Sequence, residues 1–278
     1  MSRLVNVTKV SENIAARLRK DKKHHLLPIY HLLRMSKLGR EAIENNGSFR
    51  FADHVYGGRP DGTNAVGKIL DRILLNLPSA RSFRNRYLHS RDELHKVMAE
   101  RTTQTDPIDI LAVPSGLARE LFDVASDIQL DDNLQKRTTF HFIDLDNEPL
   151  SLISAQAEKA GHKIQIYQGD AFEEQTYNNK TYDAIVSLGF VDFLNDEEAL
   201  AFYTMILTKL KPGGKFITSG LLPHKLSDYL MRQFAELHTS YRSRDDLIAL
   251  AETAGYNNFT ASTDQYGLQT LLVCTKQT

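Results

Sequence analysis

"YDAIVSLGFVDFLNDEEALAFYTMILTKLKPGGKFITSG", residues 182–220, decides the fold class. "AIVSL" (184–188) is an apolar run of strand length. "EEALAFYTMILTKL" (197–210) spaces its apolar residues three and four apart, as a helix does. Pro-Gly-Gly then reverses the chain, and "KFITS" (215–219) reads as a second strand. Strand, helix, strand is a β-α-β unit, whose two strands lie parallel with the helix crossing one face.

The same rhythm runs back to residue 106. Strands are expected at 108–113, 139–144 and 163–168, with helices at 116–128 and 148–160. Repetition of this unit predicts a doubly wound, mostly parallel sheet with helices on both faces. Such a sheet binds ligands at the carboxyl ends of its strands, beside the point where strand order reverses. Past residue 220 the alternation ends. "YNNFTASTDQ", the turn at Tyr266-Gly267 and "LQTLLVCTK" predict an antiparallel hairpin at one sheet edge.

Residues 1–105 read differently. "LLPIYHLLRMSKLGREAIE" predicts one helix ending before Gly47, "AVGKILDRILLNLP" a second stopping at Pro78, and "ARSFRNRYLHSRDELHKVMAE" a third. "FADHVYGGRPDGTN" (51–64), rich in Gly, Pro, Asp and Asn, reads as a loop. The expected division is therefore a helical region, 1–105, and an α/β domain, 106–278.

The net charge of −1 hides an asymmetry: residues 1–100 hold 19 Lys/Arg against 10 Asp/Glu, and 101–278 hold 15 against 25. A basic region suits either a solvated surface or contact with an anionic substrate, carrier or membrane surface, and no nucleic-acid motif accompanies it. With 41% hydrophobic and 25% charged residues the composition is that of a soluble globular protein. No apolar run reaches the ~20 residues of a membrane helix. The start, "MSRLVNVTKVSENIAARLRKDKKHH", lacks a secretory core, so a cytoplasmic protein is expected. Cys274 is the single cysteine, which excludes an internal disulfide, and the scattered histidines have no metal-ligand spacing.

The strand ends carry a family resemblance. "ILAVPSGLA" (110–118), "FIDLD" (142–146), "YQGDAF" (167–172) and "SLGFVDF" (187–193), with "LKPGGKF" behind them, resemble the class I S-adenosylmethionine-dependent methyltransferases. The resemblance covers the region from about 106 to the end. It implies a seven-stranded Rossmann-like sheet with a C-terminal antiparallel hairpin, S-adenosylmethionine as cofactor and methyl transfer to a small molecule. In that family the first strand ends in an acidic residue and a Gly-x-Gly-x-Gly turn. Here Ala112 stands at the acidic position, with Pro114, Gly116 and Ala118 at the glycines.

Carried over residue by residue, Pro114, Ser115 and Gly116 would approach the methionine end of the cofactor. There small residues admit the ligand, and the following helix offers N–H groups to its carboxylate. Ala112 leaves open how the amino group is held. Asp144, with Leu145, would take the ribose hydroxyls. Loss of Asp144 is then expected to weaken cofactor binding and to leave the free protein's stability nearly unchanged. Asp146 is expected to cap the next helix. Asp170 and the Ala171 N–H would meet the adenine, and Ser187, Leu188 and Gly189 would lie beneath the reactive methyl.

No catalytic base stands out, which suits an acceptor that is itself a carboxylate. An anionic or acyl small molecule is the expected acceptor class. The segment Phe51 to Gly62 is expected to act as a lid carrying His54, Tyr56 and Arg59, with Arg84 and Tyr87 as further acceptor contacts. Two other readings remain open. A nicotinamide-dependent oxidoreductase would need a Gly-x-Gly-x-x-Gly turn that "VPSGLA" does not supply. A non-catalytic protein that kept the fold would use the cofactor as a structural ligand.

Overall fold

The computed structural model describes residues 14–44, 48–129, 131–234 and 239–278, so Gly47 and the first thirteen residues lie outside it. In chain order come α1 (Ile14–Lys20), α2 (Leu27–Leu33), α3 (Lys37–Glu44), α4 (Phe49–Gly57), α5 (Ala65–Leu75) and α6 (Pro78–Arg101). Then follow β1 (Ile108–Ala112), α7 (Arg119–Ile128), α8 (Asp132–Arg137), β2 (Thr138–Asp144), α9 (Asn147–Ala160), β3 (Ile164–Gln168) and β4 (Tyr182–Ser187). The chain closes with α10 (Asp196–Lys209), β5 (Leu210–Leu221), α11 (Lys225–Phe234), α12 (Arg244–Thr253), β6 (Asn258–Thr263) and β7 (Gln269–Thr275).

These elements form two compact units. One comprises the described residues of Met1–Ala80 and Lys225–Leu237, the other those of Arg81–His224 and His238–Thr278. The division falls within α6 rather than at residue 105, and α11 groups with the N-terminal helices.

In the helical unit Ile14, Leu18, Leu26, Tyr30, Ile43 and Phe234 make a small core. The helix expected over 26–44 is broken at Arg34–Ser36. The Ser36 hydroxyl donates to the buried Asp71 carboxylate and accepts the Gly39 N–H at 2.9 Å, which starts α3. Asp71 also accepts the N–H of Leu38 at 3.2 Å and of Asp61 at 2.8 Å. Local hydrogen bonding of this kind competes with helix continuation.

The loop expected at 51–64 is helical up to Gly57. Gly58, at φ 61°, is the left-handed cap of α4, and its N–H reaches the His54 carbonyl at 3.1 Å. The glycine pair therefore ends a helix.

The second unit is a seven-stranded sheet in the order β3-β2-β1-β4-β5-β7-β6. Strands β1 to β5 pair in parallel, and β7 runs antiparallel to both β5 and β6. Alternate residues of β1 enter opposite cores. Ile108, Ile110 and Ala112 pack with α6, α7 and α9, whereas Leu111 packs with α10 and α12. Strand order reverses between β1 and β4, so the carboxyl ends of these two strands flank the switch point.

Candidate functional site

The loop after β1 is stitched to its neighbours by backbone bonds. Val113 N–H donates to the Val186 carbonyl at 2.9 Å and Ser115 N–H to the Ile143 carbonyl at 2.8 Å. The Val113–Pro114 peptide is cis. Two of the three glycine-pattern positions, Gly116 (φ 47°) and Ala118 (φ 40°), need left-handed backbone. Glycine meets that need freely at 116. Alanine at 118 costs roughly 1–2 kcal/mol.

Asp144 ends β2 as a half-buried carboxylate that brackets two loops. One oxygen accepts the Gly116 N–H at 2.9 Å and the other the Asp146 N–H at 3.0 Å. Burial raises its pKa, and these N–H donors oppose the rise. A carboxylate offers about four lone-pair sites, so these two bonds leave acceptor capacity for a ligand. Asp146 caps α9 as expected, accepting the Glu148 N–H at 3.0 Å.

Beside Asp144 the strand ends present apolar surface. Leu145 is 51% exposed and Phe172 is 38% exposed. Asp170 accepts the Phe172 N–H at 2.9 Å, and the Ala171 carbonyl accepts the Tyr177 hydroxyl at 2.7 Å. At the end of β4, Ser187 is fully buried, and its hydroxyl has no hydrogen-bond partner among the described residues.

Gly189 follows partly buried Leu188 with φ 79°, and its N–H donates to the Ser219 hydroxyl at 3.2 Å. A β-carbon there would stand 2.7 Å from Nη1 of Arg86, so the guanidinium lies directly on the glycine. Arg86 comes from α6, whose buried residues Ser82, Arg86, Ser90, Leu94 and Met98 recur every four positions. Its guanidinium also covers the Phe83 ring at 3.9 Å and lies 3.8 Å from Asp192. Burial pushes the Asp192 carboxyl up to about 6, against the opposing pull of Arg86. Glu120, second residue of α7, is also buried, and burial pushes it up to about 7. Sequence reasoning missed Arg86, Glu120, Asp192 and Phe172. The signal available was positional: Arg86 shares its row with small or apolar residues, and Glu120 shares one with Val124 and Ile128.

The expected acceptor residues fall out differently. His54 is engaged at both ring nitrogens, by the Glu41 carboxylate at 2.9 Å and the Arg59 carbonyl at 3.0 Å. Both partners only accept, an arrangement that favours the protonated ring, and the hydrogen bond to Glu41 raises its pKa. His54 thus pins the end of α4. Tyr56 is half-buried and Arg59 exposed in the helical unit. In the sheet unit, burial and Arg81 lower the Arg84 pKa. The buried Tyr87 hydroxyl donates to Asp123, binding α6 to α7, and burial with that bond raises its pKa.

Comparison with known proteins agrees with this architecture. A crystal structure of a protein from Bordetella parapertussis, described as a possible exported protein, matches with a TM-score of 0.75. It is 21% identical and the match covers 95% of this chain and 96% of that one. The S-adenosylhomocysteine complex of magnesium protoporphyrin IX methyltransferase from Synechocystis PCC 6803 matches with a TM-score of 0.55. Its identity is 12%, with 81% of this chain and 93% of that one covered. An O-methyltransferase family protein from Burkholderia thailandensis gives 0.53 at 12% identity, covering 95% and 70%. Among curated proteins, the uncharacterized protein YnbC of Escherichia coli K12 is 24% identical over 239 residues, 81% of this chain. The match spans 39% of that relative's length. No helix among the described residues is long and apolar enough to cross a membrane. The family model described as "Putative methyltransferase" matches residues 32–276, and the chain belongs to that methyltransferase family.

Proposed function

We propose that the sheet unit binds S-adenosylmethionine at the carboxyl ends of β1 to β4 and that the protein transfers its methyl group to a small acidic or acyl acceptor. The observation that carries this reading is Asp144. It ends β2, ties the loop after β1 to the start of α9, and keeps acceptor capacity suited to a ribose hydroxyl. Asp170 and the Ala171 N–H suit an adenine edge, and the exposed side chains of Leu145 and Phe172 suit its faces. Pro114, Ser115 and Gly116 form the small-residue turn at the methionyl end. Ser187, Leu188 and Gly189 lie at the switch point.

The bound cofactor supplies a methyl group already activated by its sulfonium. What the chain must add is alignment of an acceptor for in-line attack and exclusion of water. A carboxylate acceptor needs no base to remove a proton. Acceptor contact by Tyr56, Arg59 and Arg84 belongs to this reading. His54 and Tyr87 instead hold neighbouring helices through Glu41 and Asp123. A cytoplasmic setting belongs to it as well. The test is release of S-adenosylhomocysteine from methyl-labelled cofactor across a panel of carboxylic acids and acyl compounds. Labelled ester from any of them supports transfer; cofactor binding without turnover on the whole panel would favour a non-catalytic protein.

A further inference from the structure

Seven of the twelve large hydrophobic side chains exposed among the described residues lie along two helices of the helical unit. On α5 and just past its end they are Val66, Ile69, Ile73 and Leu77, spaced three and four apart, so they form one row on the solvent side. Ile69 and Ile73 are 56% and 55% exposed. On α2 and just past its end they are Ile29, Leu32 and Met35. A β-carbon on Gly67 would stand 2.4 Å from the Met35 carbonyl, so the end of the α2 row meets the first turn of α5. Apolar residues scattered singly over a surface need no explanation, but two abutting rows mark a face that something covers.

The charge beside these rows indicates the cover. Lys68 and Arg72, one turn apart, run along the exposed side of α5. Asp61 feels Lys68 but is held by Lys37 at 2.6 Å. The one acid of α5, Asp71, is fully buried, where it accepts from the Ser36 hydroxyl and from the N–H groups of Leu38 and Asp61. α2 carries no acid, and Arg34 after it pairs with Glu44 at 3.6 Å. Over residues 14–80, 12 Lys/Arg stand against 6 Asp/Glu. A second copy docked here would bring two basic surfaces together, which like charge opposes. An anionic bilayer satisfies both features at once. The apolar row enters the boundary between headgroups and acyl chains, while Lys68 and Arg72 reach back to the phosphates. We propose that the exposed face of α5, with the end of α2, docks the protein on the surface of an anionic lipid bilayer. At 11 residues α5 is far short of the ~20 that a span needs, so it lies in the plane of the interface.

The sequence contains no tryptophan, so Ile73→Trp places a single fluorescent reporter on this face of the full chain. Its emission should be that of a water-exposed indole in buffer. It should shift to the blue with vesicles of equal parts phosphatidylglycerol and phosphatidylcholine, and stay unshifted with phosphatidylcholine alone. Co-sedimentation of the wild-type protein with the anionic vesicles should exceed that with the neutral ones by about tenfold. Ile69→Ser with Ile73→Ser, and separately Lys68→Gln with Arg72→Gln, should each lower it by about tenfold. Both pairs should melt as wild type does, because all four side chains are exposed. Absence of wild-type binding to anionic vesicles, equal binding to neutral ones, or undiminished binding by the variants would overturn the proposal. So would emission already blue without lipid. Reversal of that shift on dilution would identify a second copy as the cover, and its persistence another segment of this chain.

Discussion

Asp144→Ala is the most informative single perturbation, because the carboxylate has a structural duty and a proposed ligand duty at once. Truncation strands two backbone donors, Gly116 N–H at 2.9 Å and Asp146 N–H at 3.0 Å. Bonds to a charged acceptor contribute roughly 1.5–3 kcal/mol each. Burial disfavours the ionised carboxylate, as its raised pKa records, and removing it returns part of that loss. The net destabilisation should be about 2 kcal/mol. At roughly 2–4 °C per kcal/mol for a domain of this size, the free protein should melt about 4–8 °C lower. This differs from the expectation of unchanged stability that follows from a purely ligand-binding Asp144. Affinity for S-adenosylhomocysteine should fall at least tenfold, about 1.4 kcal/mol, through loss of the ribose bonds. Asp146→Ala is the control. It removes only the cap bond to Glu148, about 1 kcal/mol, and should leave affinity within about twofold. Thermal melts and titration calorimetry read the two effects separately. If Asp144→Ala melts lower yet binds S-adenosylhomocysteine as wild type does, Asp144 is a structural bracket alone.

Three further outcomes are expected. Folded Glu120 keeps its proton up to about 7, against 4.5 ordinarily, so the folded state loses relative stability as pH rises from about 4.5 through 7. The loss amounts to roughly 3 kcal/mol, and urea melts of Glu120→Gln at pH 5 and 8 should lack it. Asp192 adds a slope of the same sign below about 6 that the variant retains. Gly189→Ala forces a β-carbon into left-handed backbone at φ 79°, 2.7 Å from Nη1 of Arg86. It should melt lower and weaken S-adenosylhomocysteine binding, and unchanged affinity would place Gly189 outside the site. Tyr56→Phe combined with Arg59→Ala should lower methyl transfer at limiting acceptor while leaving S-adenosylhomocysteine affinity within about twofold. Unchanged turnover would remove these two residues from acceptor selection.

The sheet was legible because its signals are local: alternating strand and helix periods, Pro-Gly-Gly before β5, and the terminal hairpin that pairs β6 with β7. Asp144 and Asp170 were legible because strand ends fix their place. What misled was chemistry with two readings. Gly57-Gly58 marks a loop or a helix stop equally well, and only the φ of 61° at Gly58 decides for the stop. The break at Ser36 depends on Asp71, thirty-five residues away. Arg86 and Glu120 were missed, since charge on a helix usually faces water. Their burial follows from packing α6 and α7 onto the sheet, which no local window contains. Ala118 shows the converse: the glycine pattern looks eroded, yet the backbone keeps the left-handed turn with alanine in it.

Titration of the purified protein with S-adenosylmethionine, S-adenosylhomocysteine and NAD in a calorimeter tests the central claim most directly. Saturable one-to-one binding of the first two and no heat from NAD is the result that a site built on Asp144, Gly116 and Ser187 predicts. Binding of NAD alone, or of none of the three, would contradict it.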